Sequence, residues 1–231
     1  MSIRVNKYLS ESGYCSRREA DRLIEQGLVK INGLQVEKGT QVFDGDVVEV
    51  AGKVVHHDSE MVYLAFNKPL GITSTTDQSI PGNIIDFIGF PTRIFHVGRL
   101  DKDSQGLILM TNDGNIVNRI LRTENHHEKE YVVEVDRPVN DSFLRAMSQG
   151  VPILETVTKP CVVEKTGSKV FKIILTEGLN RQIRRMCQYF DYHVVSLKRV
   201  RVMHITLDVP VGTYRHLTSD EKERLFEVLN S

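Results

Sequence analysis

Apolar residues recur along this chain with two spacings, and the alternation between them divides it. In the opening stretch the spacing is helical: Val5, Tyr8 and Leu9 share a face, and Gly13 stops the pattern. Ser16 and Glu19 form a Ser-x-x-Glu capping box before Ala20, Leu23 and Ile24, predicting a second short helix ended by Gly27. The period then shortens. Val29-Lys30-Ile31, Asn32-Gly33 and Leu34-Gln35-Val36 read as a hairpin with a tight turn, and Asp44-Gly45 introduces Val47-Val48-Glu49-Val50. The polar stretch His56-His57-Asp58-Ser59-Glu60 separates this module from the next apolar segment, which predicts domains over 1–60 and 61–231. The paired histidines read as linker residues.

The larger part begins with Met61-Val62-Tyr63-Leu64-Ala65-Phe66, a central strand stopped by Asn67-Lys68-Pro69-Leu70-Gly71. Residues 73–83 read as a surface loop before a short helix at Ile84-Ile85-Asp86-Phe87-Ile88. The apolar runs Ile94-Phe95-His96-Val97 and Leu107-Ile108-Leu109-Met110 then bracket a charged loop, Gly98-Arg99-Leu100-Asp101-Lys102-Asp103-Ser104-Gln105-Gly106. Asp113 can cap a helix carrying Ile116, Val117, Ile120 and Leu121, and Asn140 one carrying Phe143, Leu144 and Met147. Strands are expected at 130–135, 157–164, 169–175 and within 197–209. Residues 181–188 predict a helix with Ile183, Met186, Cys187 and Phe190 inward and Arg181, Arg184, Arg185 and Gln188 on another face. Thr218 and Glu221 form a second capping box before Leu225, Phe226 and Leu229. This is an α+β pattern with a mixed sheet, without the regular alternation of a parallel barrel.

Composition adds two things. The 231 residues carry 30 basic and 30 acidic side chains, so the chain is no general polycation. Yet residues 171–201 hold Lys172, Arg181, Arg184, Arg185, Lys198, Arg199 and Arg201 against Glu177 and Asp191, a local positive field of the kind that attracts phosphate. The three scattered cysteines suit neither a disulfide framework nor a zinc site. Dinucleotide, Walker and His-Glu-x-x-His fingerprints are absent, so no cofactor or metal is expected. With no signal-like apolar core and no membrane-length apolar run, a soluble cytoplasmic protein is the expected class.

On its residues alone, the Asp101 loop reads equally as a charged turn or as a carboxylate aimed by two strands. Four motifs in order change that balance: Gly13-Tyr14-Cys15-Ser16-Arg17-Arg18, Lys68-Pro69-Leu70-Gly71, Gly98-Arg99-Leu100-Asp101 with Ser104 and Gly106-Leu107, and Glu177-Gly178-Leu179-Asn180-Arg181-Gln182-Ile183-Arg184-Arg185-Met186. Together they resemble the pseudouridine synthases that modify ribosomal RNA and carry an N-terminal S4 domain, the RsuA/RluB/RluE/RluF group, and within it the RluF branch. The resemblance implies an S4-like RNA-binding domain followed by a mixed, largely antiparallel-sheet synthase domain. It implies isomerisation of a flipped-out uridine, in large-subunit RNA for the RluF branch, with ribosomal RNA or an assembly intermediate as partner and with no cofactor, membrane or obligate protein partner.

The resemblance also assigns residues. Asp101 would attack the ribose C1′, through either a glycal or a direct sugar adduct. Tyr131 would stack on the uracil, and Arg184 would pair with Asp101 and keep it ionised. Arg99, Lys68, Leu175, Arg181 and Arg185 would contact the substrate. Lys7, Arg17, Arg18, Arg22 and Lys30 would dock RNA through phosphates. From the residues alone, Lys68 fits a structural turn at least as well, and a sheet face for Tyr131 and a solvated helix surface for the Arg17, Arg18 and Arg22 cluster are the favoured readings. A non-catalytic RNA-binding assembly protein, or a synthase acting on small-subunit or transfer RNA, stays open at this stage.

Overall fold

A computed structural model of the chain describes residues 2–56 and 60–230, so His57, Asp58 and Ser59 of the expected linker lie outside the described residues. The chain forms two compact units: Met1–Val62 with Phe90–Phe95 and Asn112–Gly114, and Tyr63–Gly89 with His96–Thr111 and Asn115–Ser231. In the first, β1 (Ser2–Arg4), α1 (Val5–Glu11) and α2 (Arg17–Glu25) precede β2 (Val29–Ile31), β3 (Leu34–Gln35), β4 (Gln41–Phe43), β5 (Val48–Val50) and β6 (Lys53–Val55). The Ser16 hydroxyl accepts the Glu19 N–H at 3.1 Å, as the capping box predicts. The Glu19 carboxylate turns instead to Arg22, 2.7 Å away, which also places a negative charge in the first helical turn beside the arginines. Asn32 and Gly33 take φ of 51° and 79°, the positive values a two-residue hairpin turn requires, and β2 and β3 pair across them. The sheet runs β3-β2-β5-β6, β1 pairs with β4, and Val5, Leu9, Ala20, Val29 and Val48 close a small core.

The larger fold is built on β7 (Tyr63–Lys68), α3 (Ile84–Ile88), β8 (Phe95–Val97), β9 (Gln105–Thr111), α4 (Gly114–Leu121), β10 (Lys129–Val135) and α5 (Asp141–Ser148). It continues with β11 (Pro152–Ile153), β12 (Thr156–Val157), β13 (Val162–Lys165), β14 (Val170–Leu175), α6 (Gln182–Tyr189), β15 (Val194–Val202), β16 (Ile205–Thr206), β17 (Tyr214–His216) and α7 (Ser219–Asn230). The main sheet runs β13-β14-β10-β15-β9-β7-β17. Neighbours along it pair antiparallel except β9 and β15, which are parallel. Parallel strands share their entry edge, so the loop feeding β9 and the helix feeding β15 arrive at the same edge of the sheet. That one pairing brings the Asp101 loop to α6, some 80 residues later in the chain.

Two cores hold this unit. One gathers Phe143 and Met147 of α5, Ile183 and Met186 of α6, and Val133, Phe171 and Ile173 of the sheet. The other gathers Ile116 and Ile120 of α4, Leu225 and Leu229 of α7, and Ala65, Leu107 and Leu109. The second capping box forms in full: Glu221 N–H donates to Thr218 Oγ1 at 3.2 Å, and Thr218 N–H to Glu221 Oε2 at 2.9 Å. Strand limits differ from the sequence expectation at polar residues. Asn67 and Lys68 continue β7 instead of stopping it, because Asn67 Nδ2 donates to Val209 O at 2.8 Å and the Lys68 amine reaches nearby carbonyls. The 197–209 strand begins earlier, at Val194, and turns at Met203, whose φ is 52°.

Candidate active site

The strand registers align one row of residues across the sheet: Ile173 opposite Tyr131, Tyr131 opposite Arg199, Arg199 opposite Gly106, and Gly106 opposite Lys68. Gly106 is the hinge of that row. Its φ is +108°, and a Cβ there would lie 2.2 Å from the Arg199 carbonyl oxygen, so a residue larger than glycine would force β9 away from β15.

The loop before β9 is held at several points. Ser74, which is buried, donates its hydroxyl to Leu100 O at 2.7 Å and accepts the Leu100 N–H at 3.2 Å. The Ser104 N–H donates to Asp101 O at 3.0 Å, closing the turn, and the Gly71 N–H donates to Lys102 O at 2.8 Å. Arg199 Nε donates to Leu107 O at 2.7 Å and Nη1 reaches Arg99 O at 3.5 Å, so one guanidinium touches the chain on both sides of Asp101.

Asp101, thus held, lines a cleft of about 610 Å³ within this unit, and its side chain is 34% exposed. Tyr131, Leu175, Arg99 and Arg181 line the same cleft. Tyr131 is half-buried, Leu175 is buried, and Arg99 and Arg181 are exposed. One wall of the cleft is the turn into α6, where Glu177 Oε1 accepts the Lys159 N–H at 2.9 Å and Gln182 Nε2 at 2.8 Å. Gln182 Oε1 accepts the Leu179 N–H at 3.0 Å. At this turn Arg181 takes a φ of 50°, a conformation rare for a side chain of its size.

The expected Asp101 and Arg184 pair is not formed. Arg184 lies one turn inside α6 and reaches Asp103: Nη2 donates to Asp103 O at 2.6 Å, and Nε is 3.4 Å from the carboxylate. Its Nη1 donates to Val194 O at 3.2 Å. Arg181, at the helix entrance, grips the Asp103 carboxylate with two bonds of 2.9 and 2.7 Å and approaches Asp101 at 3.7 Å. The hydrogen bonds from Arg181, helped by the charge of Arg184, hold the Asp103 carboxyl below the usual range. Asp103 is therefore the anchor between loop and helix, while Asp101 faces the cleft.

Two other expected contacts are placed differently. Lys68 is fully buried and does not line the cleft; its ammonium donates to Pro69 O at 3.0 Å and Ile72 O at 2.8 Å. Burial pushes it down to about 8, while the charges of Asp101 and Asp103 act in the opposite direction. Arg185 bonds its own helix entrance, Nε to Asn180 O at 3.0 Å and Nη2 to Asn180 Oδ1 at 3.1 Å. In the other unit, Arg17, Arg18, Arg22 and Lys30 are exposed, and Lys7 pairs with Glu11 at 3.6 Å.

The cleft also contains residues to which the sequence reading gave no site role: Lys129, His96, Ser104, which it quoted only within the Asp101 motif, and Arg199, which it counted only in the basic stretch. Burial pushes the His96 imidazole below its ordinary value, and its Nδ1 lies 2.7 Å from Gly98 O. Arg199 shares the inward parity of Leu197 on β15, and Lys129 that of Val133 and Val135 on β10. A cation at an inward strand position was the available signal. Among the described residues, no group of three or more His, Cys, Asp or Glu side chains is arranged to hold a metal ion.

Residues 62–189 match the RNA pseudouridylate synthase family, and residues 3–48 match the S4 domain. The chain is 55% identical over 231 residues to a Salmonella typhi protein named dual-specificity RNA pseudouridine synthase RluF, covering 99% of this chain and 80% of that one. It is 54% identical over 233 residues to the protein of the same name from Escherichia coli strain K12, covering 100% and 80%. A solved structure described as a crystal structure of pseudouridylate synthase is similar with a TM-score of 0.71 and 31% identity, covering 96% of this chain and 99% of that chain.

Proposed function

Because this chain belongs to the RNA pseudouridylate synthase family and carries an S4 domain, we propose that it converts a specific uridine of large-subunit ribosomal RNA to pseudouridine at the Asp101 cleft. The observation that carries the siting is the convergence of Asp101, Tyr131 and Leu175 on one cleft, with an apolar wall and an aromatic ring beside a fixed carboxylate. Breaking the C1′–N1 bond and making a C1′–C5 bond yields an isomer, so the balance of atoms calls for no co-substrate. Asp101 supplies the carboxylate that meets C1′, Tyr131 the ring against the extracted base, and Leu175 an apolar wall. Arg181 and Arg184 act through Asp103, a residue of the same loop as Asp101, and so tie that loop to α6. The exposed Arg99 and the arginines of α2 offer charge to RNA phosphates.

Extracting a uridine from its stack costs a few kcal/mol, least in a loop or disrupted helix, and binding of the surrounding RNA by the exposed arginines of each unit can repay that cost, which favours folded ribosomal RNA over free nucleoside as substrate. The relatives' designation as dual-specificity enzymes favours a second target as well. The test is to map pseudouridine in large-subunit, small-subunit and transfer RNA from cells with the wild-type chain, with Asp101→Asn, and with neither. Asp101→Asn is expected to keep the fold and RNA binding and to lose the modification; normal turnover by that variant refutes the assignment.

A further inference from the structure

Two buried cations in the cleft have no task in this reaction as described so far. Arg199 is 3% exposed and Lys129 8%, and both line the cleft that holds Asp101 and Tyr131. Two of the Arg199 nitrogens serve loop carbonyls, but Nη2 is buried with no hydrogen-bond partner among the described residues, as is Ser104 Oγ, also of this cleft. The Lys129 ammonium has one long bond, 3.4 Å to His127 O. Burial, and then the charge of Arg199, push it below the usual lysine range, as expected for two neighbouring cations without an acid between them. An unpaired buried donor is costly, more so when charged, so this arrangement suits an acceptor from outside the chain.

The shape of a nucleotide says which acceptor. Phosphates stay on the RNA backbone, where the exposed Arg99 can meet them. The cleft also has apolar walls, including Ile120, Leu175, Leu197 and Val202. The part of a flipped nucleotide suited to enter them is the base. Resting on the pseudouridine synthase reading, we propose that Arg199 and Lys129, with Ser104, form a cationic subsite for the carbonyl oxygens O2 and O4 of the extracted uracil, stabilising it as its bond to the ribose breaks. In that step C1′ bonds to an Asp101 oxygen, while the C1′–N1 electron pair leaves with N1 and spreads over O2 and O4. When C5 rejoins C1′ the carboxylate departs with its electron pair; C5 loses its proton and N1 gains one. The cations act on the charge that exists only between those two events.

Lys129→Met tests this with little disturbance of the Asp101 loop, since Lys129 makes no bond to it. Wild type and variant are compared in single turnover on large-subunit RNA transcribed with uridine, 2-thiouridine or 4-thiouridine, sulfur being the poorer acceptor. The variant is expected to lose about 10²–10³-fold in rate on uridine RNA while binding it within twofold, and Lys129→Arg to recover part of the loss. Sulfur at the contacted position should slow the wild type but add little to the variant, a non-additive cycle between one side chain and one substrate atom. Wild-type turnover by Lys129→Met, or losses that multiply at both positions, overturns the subsite. A merely structural role for Lys129 predicts weaker folding with additive losses, which overturns it too. Inactivity of the wild type on uridine RNA is a separate result and counts against the functional reading beneath it.

Discussion

Ser74→Ala removes one oxygen atom that lies 26 residues from the loop it holds. In the structure that hydroxyl serves both backbone groups of Leu100, at 2.7 and 3.2 Å, and Leu100 is 6% exposed. Alanine leaves a buried N–H and a buried C=O without that partner. Each such group costs ~1–3 kcal/mol, so the substitution costs ~2–6 kcal/mol if the loop keeps its place. If the loop instead shifts to let water in, stability recovers but Asp101, the next residue, moves with it. A displacement of ~1 Å at a reacting group is worth ~10²-fold in rate. The loss therefore appears in stability, in turnover, or divided between them. The assay pairs urea unfolding, followed by tyrosine fluorescence because the chain has no tryptophan, with kcat/KM for pseudouridine formation. Ser79→Ala, in the same segment but exposed and with its hydroxyl bonded to Asp77, is the control expected to change neither. An unchanged unfolding midpoint together with unchanged kcat/KM in Ser74→Ala refutes the reasoning.

Gly106→Ala should disrupt the β9 and β15 contact, losing at least ~3 kcal/mol from backbone strain and overlap with Arg199, whereas Gly114→Ala, with nothing within 4 Å of its Cβ, should be near neutral; equal unfolding midpoints for the two would contradict this. Lys68, pushed down to about 8 in the fold against an ordinary 10.5, binds its proton more weakly folded than unfolded, so its contribution to stability rises between about pH 8 and 10.5, by at most roughly 3 kcal/mol. Cys161 and Cys187, raised to about 11 and about 12, work in the other direction over that range, so the quantity to measure is the wild-type minus Lys68→Met difference in urea stability at pH 7.5 and pH 10. A difference that does not change with pH argues against a protonated, buried Lys68. Replacing Arg17, Arg18 and Arg22 together by alanine should weaken RNA binding and flatten the dependence of log K on log salt by about 2 to 3, with the unfolding midpoint little changed; an unaltered slope removes α2 from the RNA surface.

Local signals were strong enough to place most elements of this fold. Ser16, Asn83, Asn140 and Thr218 each accept the backbone N–H three residues on, because a cap is a contact within one turn and needs nothing distant. The Asn32-Gly33 hairpin is local for the same reason. Errors of strand extent occur where a distant partner satisfies a polar residue: Asn67 is absorbed into β7 by Val209, far along the chain. Arg199 and Lys129 were readable in principle, as cations at inward positions of apolar strands, but parity says only that a charge is buried and not what it is buried against.

By itself the sequence determined the elements, their caps and turns, and, through four ordered motifs, the family and the position of Asp101 within a strand-bracketed loop. Only the tertiary structure decided which arginine stands beside which aspartate. Arg181, Arg184 and Arg185 fall within one helical turn and Asp101 and Asp103 within one loop, so composition and spacing allow several pairings. The parallel register of β9 against β15 sets the offset between loop and helix; at that offset Arg181 and Arg184 meet Asp103, Arg185 folds back on Asn180, and Asp101 faces the cleft. An offset between two segments some 80 residues apart comes from how the strands between them pack, which no local pattern encodes.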